Sequence, residues 1–235
     1  MEATCKSRSE LPILMKRAFD ILFSGLGLLI AAPLFIVVSV LIKVTSPGPV
    51  FYRAERVGLH GRPFRLFKFR SMTVGADQKG FLNVPDWDPR ITPIGSFLRK
   101  TKLDELPQLI SVFIGDMSFV GPRPELKCYT DMYTEEQKAI LTLKPGITDW
   151  ASLIHFDQHI DFTLASNPDE AYLRYIRPTK IELQLLYSRN HSFAQDLKIL
   201  YFTVLRTLFQ MSVCPSEIEP YIGKRHRARK GTGTE

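Results

Sequence analysis

Cysteine is scarce in this chain: Cys5, Cys128 and Cys214 lie far apart, and no C-x-x-C occurs. An odd, scattered set of this kind excludes a disulfide framework and a cysteine zinc cluster, and it predicts a reduced, cytosol-facing protein. No Walker A run is present. "GLGLL" at Gly25 begins like a dinucleotide fingerprint, but it lacks the third glycine and sits in an apolar run. Internal repeats are absent. Charge is missing altogether from Ile21 to Ile42, "ILFSGLGLLIAAPLFIVVSVLI".

That uncharged run is long enough for the roughly 20 residues that span a bilayer as a helix. A signal peptide fits poorly, because the run is long, lacks a small-residue cleavage site and leads into Lys43. Basic residues flank it on both sides: Lys16 and Arg17 before, Lys43, Arg53 and Arg56 after. Positive charge tends to remain cytoplasmic, and Pro33 near the middle favours a kink. An ordinary kinked transmembrane helix fits these residues. So does a helix that enters, bends at Ala32-Pro33 and returns to the same face.

The remainder of the 235 residues, with 45% hydrophobic and 23% charged overall, is enough for one sizeable domain. The net charge of +7 and pI near 9.3 point to an anionic partner. Residues 1–12 are expected to form a mobile tail and 223–235, "GKRHRARKGTGTE", a basic disordered one. "VFYRAERVG" and "RPFRLFKFRSM" around "GLHG" predict a β-hairpin, with Lys68 and Arg70 on one face and Phe67 and Phe69 on the other. A loop over 75–93 precedes short helices over 94–101 and 104–115. Thr134 with Gln137 resembles a capping box, and Asn167-Pro168-Asp169-Glu170 is a helix start. Ser192 with Gln195 caps a last amphipathic helix. Its apolar surface covers Phe193, Leu197, Leu200, Tyr201, Val204, Leu205 and Leu208, with Asp196, Arg206 and Gln210 opposite, so it suits a core or a membrane interface.

Candidate chemistry lies in three places. His155 and His159 in "HFDQH" are four apart, but neither an adjacent Glu nor a third ligand accompanies them. Lys68, Arg70, Arg99, Lys100, Lys102 and Arg123 gather around two acids. A nucleic-acid surface has this look, yet the arginine of "GPRP" is framed by Pro122 and Pro124. Framing pre-organises it for bidentate phosphate binding; the ordinary alternative is a solvated arginine. The acids are Asp104 and Glu105 of "KLDELPQL". With Asp104 as N-cap, Pro107 falls at the third helical position, where its missing N–H costs no helical bond. Free amides and the helix dipole then favour a negative Asp104, already ionised at neutral pH given an ordinary pKa of about 3.9. Such a carboxylate can attack phosphorus without a general base once nearby cations screen the phosphate. Otherwise the pair is only a cap.

The ordered set "KRAFDILFSGLGLLIAAPLF", "FKFRSM", "DPRITPIGSFLRKTKLDELPQL", "GDMSFVGPRPE", "LKPGIT" and "DLKILYFTVL" resembles the bacterial sugar transferases, the monotopic polyprenyl-phosphate phosphoglycosyltransferases, in their small single-catalytic-domain form. The resemblance implies a mostly α fold with a small β-hairpin. It also implies a membrane-embedded monotopic domain with a re-entrant helix over 13–45, broken at Ala32-Pro33, and a catalytic domain over 46–222 with interfacial amphipathic helices. It places the protein at the bacterial plasma membrane with that domain on the cytoplasmic face. Asp104 would be the nucleophile, receiving a phosphosugar from a nucleotide-diphosphate sugar and passing it to polyprenyl phosphate, with Glu105 assisting. Lys68, Arg99 and Arg123, with Pro122 and Pro124, would contact phosphate. Mg2+, or Mn2+ in its place, would sit at Asp104. Membrane lipids are implied partners, nucleic acid is not, and a homodimer is left open. Where many members continue "PGITG", this chain has "PGITD", with Asp149. The competing class is a non-catalytic membrane-bound adaptor that uses the basic surface to bind anionic lipid or a partner.

Overall fold

The computed structural model describes residues 3–78, 80–155, 167–209, 218 and 220. The fold is mostly helical with small sheets. Helix α1, Ala3–Thr45, runs for 43 residues, and its Ile13–Thr45 portion is long and apolar enough to cross a membrane. Helical structure begins within the segment expected as a tail and continues through Ala32 and Pro33, so no break is displayed there.

Alpha1 lies against the rest of the chain at both of its ends. Near the start, Lys16 Nζ pairs with Asp196 Oδ2 at 2.5 Å, and Arg17 donates to the Val112 and Phe113 carbonyls. Asp20 accepts from Ser118 Oγ and Phe119 N, both at 3.1 Å. In the middle, a Cβ at Gly25 or Gly27 would lie 3.3 Å from the Phe113 ring or 3.2 Å from Leu109. Near the end, Val38 and Ile42 bury against Phe69 and Leu98. Leu22, Leu29, Ile30, Val37, Val40 and Val44 remain exposed on the outer side.

The hairpin forms as expected: β1, Phe51–Val57, pairs antiparallel with β2, Pro63–Phe69. Phe69 turns to the α1 side, where it stacks on Phe51 at 5.3 Å. Helix α2, Pro93–Lys100, starts on Thr92, whose hydroxyl accepts from Gly95 N. Helix α3 covers only Gln108–Ile114, because Leu103–Glu105 form a separate 3-10 turn. Beyond it, β3, Ser118–Val120, pairs in parallel with β4, Gly146–Thr148, a second small sheet. Alpha4 is Lys127–Thr130 and α5 is Trp150–His155. Thr134 and Gln137 make the reciprocal capping bonds, opening a 3-10 segment over Gln137–Thr142.

Asn167 caps α6, Pro168–Ala171, which leads through a π-turn, Tyr172–Ile176, into α7, Arg177–Asn190. Gln195 N donates to Ser192 Oγ at the start of α8, Phe193–Phe209. On α8 the acid opposite the expected apolar surface turns inward, and part of that surface faces out while Leu200 packs on the core. Asp196 is 4% exposed and Ile199 fully buried, whereas Tyr201 is 60% exposed, with Leu197 and Val204 also outside. Asp196 can turn inward because Lys16 neutralises it and Tyr187 donates to it at 2.5 Å. The main core joins α5, α7 and α8 around Trp150, Leu183, Tyr187 and Ile199.

Candidate active site

Lys68 stands opposite Tyr52 in the hairpin register, and Arg56 lies four residues along β1 from Tyr52. The pleat therefore puts Lys68, Tyr52, Ala54 and Arg56 on one face. Against this face packs the turn carrying the two acids. It is reached through Lys102, whose φ of 59° is left-handed and unusual for a residue with a Cβ. The reversal at Lys102 makes Leu103, Asp104 and Glu105 a single 3-10 turn, with Pro107 rather than Asp104 at the N-cap of α3. The expected capping role of Asp104 is thereby corrected.

The two carboxylates occupy different environments. Glu105 Oε1 accepts from Lys68 Nζ at 2.8 Å and from Arg123 Nη2. Burial alone would raise the Glu105 pKa, but Arg123 and Lys68 outweigh it and hold the carboxyl well below its ordinary range. Asp104 is buried, and its side chain has no hydrogen-bond partner or ion pair among the described residues. Burial pushes its pKa up, against the pull of Lys68, Arg99 and Lys102. The ordinary aspartate pKa expected from the sequence is corrected upward.

Both acids line a cleft of about 880 Å³, shared with Lys68, Arg99, Lys102 and Arg56. One wall is the loop from Phe81 to Trp87, tied down by Asp169, which accepts from Asn83 N at 2.7 Å. Among the described residues Arg99 donates only to the Val84 carbonyl, and its buried Nε has no partner there. Arg70, grouped with these cations in the sequence, instead holds the Ser46 and Pro47 carbonyls. Pro122, Arg123 and Pro124 border a separate small depression, and Arg123 reaches the acids through Glu105.

Arg123 is aimed by a device that the sequence did not reveal. The β3–β4 pairing brings Gly121 and Thr148 together, and a Cβ at Gly121 would lie 2.3 Å from the Lys144 carbonyl. The next residue after Thr148 is Asp149, buried, which accepts from Arg123 N at 3.1 Å and from Gln184 Nε2 at 3.2 Å. Its other oxygen accepts from Ser152 N and Oγ.

A family model described as bacterial sugar transferase matches residues 11–210, a stretch that contains this whole arrangement. The chain belongs to the bacterial sugar transferase family.

Several relatives of this sugar transferase carry names. It is 38% identical over 196 residues to the UDP-glucose:undecaprenyl-phosphate glucose-1-phosphate transferase of Escherichia coli (strain K12), covering 82% of this chain and 40% of the relative. It is 36% identical over 193 residues to the UDP-N-acetylgalactosamine-undecaprenyl-phosphate N-acetylgalactosaminephosphotransferase of Aeromonas hydrophila, covering 81% and 43%. It is 33% identical over 204 residues to the exopolysaccharide production protein ExoY of Sinorhizobium fredii, covering 80% and 83%. The chain thus spans about two-fifths of the length of the first two relatives.

Among the described residues no group of three or more His, Cys, Asp or Glu side chains could hold a metal ion. His159 and the side chain of His155 lie outside the described residues. The sugar transferase does, however, offer a hard cation one buried carboxylate, Asp104, with no competing partner among the described residues. Mg2+ commonly takes one or two carboxylates and completes its shell with substrate phosphate and water. The cleft fits that mode.

Proposed function

We propose that this protein transfers a sugar-1-phosphate from a UDP-linked sugar to polyprenyl phosphate on the cytoplasmic face of the bacterial plasma membrane, starting assembly of a surface glycan. The observation that carries the reading is the contrast between Asp104, buried and unpaired among cations, and Glu105, held by two of them. A membrane-bound adaptor has no use for a buried, unpartnered carboxylate beside the basic groups that would bind its ligand, since that charge costs stability.

Asp104 is the nucleophile. One of its oxygens attacks the β-phosphorus of the donor. The bond from that phosphorus to the bridging oxygen breaks, and uridine monophosphate leaves with the electron pair. An oxygen of polyprenyl phosphate, as its dianion, then attacks the same phosphorus and releases the Asp104 carboxylate. Lys68, Arg99 and Lys102 screen the approach of an anion to an anion. Glu105 acts by orienting Lys68 and Arg123; a carboxyl held so far down is a poor proton acceptor. Mg2+ held by Asp104 and the diphosphate would add neutralisation of the donor's charge.

Alpha1 in this reading lies within one leaflet and returns, with Pro33 at the bend. Support comes from the tethering of Lys16 and of Ile42 to one and the same body. A straight crossing over those residues would draw that body across a hydrocarbon core about 30 Å thick. The outward apolar residues of α1 and α8 and the exposed Phe113 and Ile114 of α3 give the body its lipid-facing side.

The test is uridine monophosphate release by the purified full chain in lipid nanodiscs, with undecaprenyl phosphate, a panel of UDP-sugars and Mg2+. Release with at least one donor, abolished by chelation, is expected. No release with any donor would contradict the reading.

A further inference from the structure

The cleft holds a cation that the reaction as described leaves without a task. Arg56 is half-buried on β1, on the hairpin face that carries Lys68, and it lines the cleft. Its one hydrogen bond is to the neighbouring Glu55 carbonyl, at 2.8 Å, and no ion pair reaches it among the described residues. The other cleft arginines on loops and strands have structural partners: Arg70 holds two carbonyls, and Arg90 is paired with Asp88 at 2.6 Å. Burial lowers the Arg56 pKa and Arg123 beside it adds to the repulsion, while Tyr52 first and then Glu105 pull the other way without cancelling them. Glu105 is thus one carboxylate facing Lys68, Arg123 and Arg56, and net positive charge remains at that end of the cleft. A half-buried guanidinium that lines the cleft without an ion pair among the described residues is free to take an anion there.

The stereochemistry of the proposed double displacement says which anion. In the first step Asp104 attacks phosphorus from one side and the nucleotide phosphate leaves from the opposite side. In the second step polyprenyl phosphate attacks from the side that the nucleotide has vacated, because Asp104 still holds the other. The leaving phosphate and the attacking phosphate therefore take one position in turn. We propose that Arg56 anchors this shared phosphate position, binding the nucleotide's phosphate and then that of polyprenyl phosphate. Lys68, Arg99 and Lys102, which surround Asp104, attend the phosphate being transferred.

The inference rests on the reading of the chain as a polyprenyl-phosphate sugar-phosphate transferase, and wild-type turnover checks that reading separately. Steady-state kinetics of Arg56→Gln and Arg56→Lys, varying each substrate in turn, give the test. Loss of a charged hydrogen bond predicts that Arg56→Gln raises KM for both UDP-sugar and polyprenyl phosphate by about 10- to 100-fold. Inhibition by added uridine monophosphate should weaken by a similar factor, and thermal midpoints should stay close to wild type. Arg56→Lys should recover part of all three, since it keeps charge but loses the planar fork. If Arg56→Gln does not fold, Arg56→Lys still must show the joint rise. A rise for one substrate alone, or unchanged KM values for both in an enzyme that turns over, would overturn the shared position. A wild-type chain without turnover would instead remove the reading beneath it.

Discussion

Lys68 Nζ donates to Glu105 Oε1 at 2.8 Å, and Arg123 Nη2 donates to the same oxygen. One carboxylate thereby sets the direction of two cations that come from different parts of the chain, and Asp104 next to it stays uncommitted. Glu105→Gln removes the charge and leaves Lys68 and Arg123 repelling each other. For a half-buried pair the expected loss is about 1–3 kcal/mol of stability, read by thermal unfolding. Turnover should fall mainly through a higher donor KM. A wild-type donor KM would show that Lys68 and Arg123 do not depend on Glu105.

Asp104→Asn should behave oppositely. A folded-state pKa raised above the unfolded value makes the ionised form costly in the native state. Native stability contributed by the protonated acid is present below the unfolded pKa and lost as pH rises through the folded one, so at pH 7 the penalty is in force. The neutral amide removes it. Activity should fall on the order of 10³-fold or more, with a thermal midpoint equal to or above wild type. A wild-type pH profile should fall on its acid side at a higher pH than an ordinary aspartate would give, and Lys68→Met should move that limb up further.

Much of the fold was legible locally. The turn "GLHG" between two aromatic-rich runs gave the hairpin, and the caps at Thr134, Asn167 and Ser192 were placed by their own side chains. Features made by distant partners were not. The inward turn of Asp196 depends on Lys16, its partner, which lies at the other end of the chain. The β3–β4 pair joins strands too short to carry a period. Asp104 was taken for a helix cap because nothing in "TKLDEL" announces the left-handed Lys102. The cluster of site residues was readable as a motif, while the unequal environments of its two acids required the neighbours Lys68 and Arg123.

Asp149 illustrates the same limit, since its chemistry depends on Arg123 and Gln184. Asp149→Asn keeps the size but weakens acceptance from Arg123 N. We expect a donor KM raised by about 3- to 10-fold, corresponding to the loss of an ordinary hydrogen bond of about 1 kcal/mol, with kcat changed less. Arg123→Ala should cost more, about 1.5–3 kcal/mol, as loss of a charged contact. An Asp149→Asn variant more impaired than Arg123→Ala at equal stability would show that Asp149 does more than position the loop.

Topology is open to a direct check in intact cells, with Cys5, Cys128 and Cys214 replaced and single probes at Arg8→Cys or Thr232→Cys. Both probes should be shielded from a membrane-impermeant thiol reagent until lysis. Labelling of the N-terminal probe alone before lysis would establish a crossing helix, and replacement of Pro33 by Leu is expected to shift the population that way.

The covalent step carries the whole mechanism, and capture of Asp104 in the act tests it most directly. The purified chain is incubated with its UDP-sugar in the absence of polyprenyl phosphate, quenched in acid and digested for mass spectrometry. A phosphosugar mass on the peptide containing Asp104, matched by one equivalent of uridine monophosphate per enzyme and absent from Asp104→Asn, is the expected result. Nucleotide release that begins only when polyprenyl phosphate is added, with no adduct at Asp104, would contradict it.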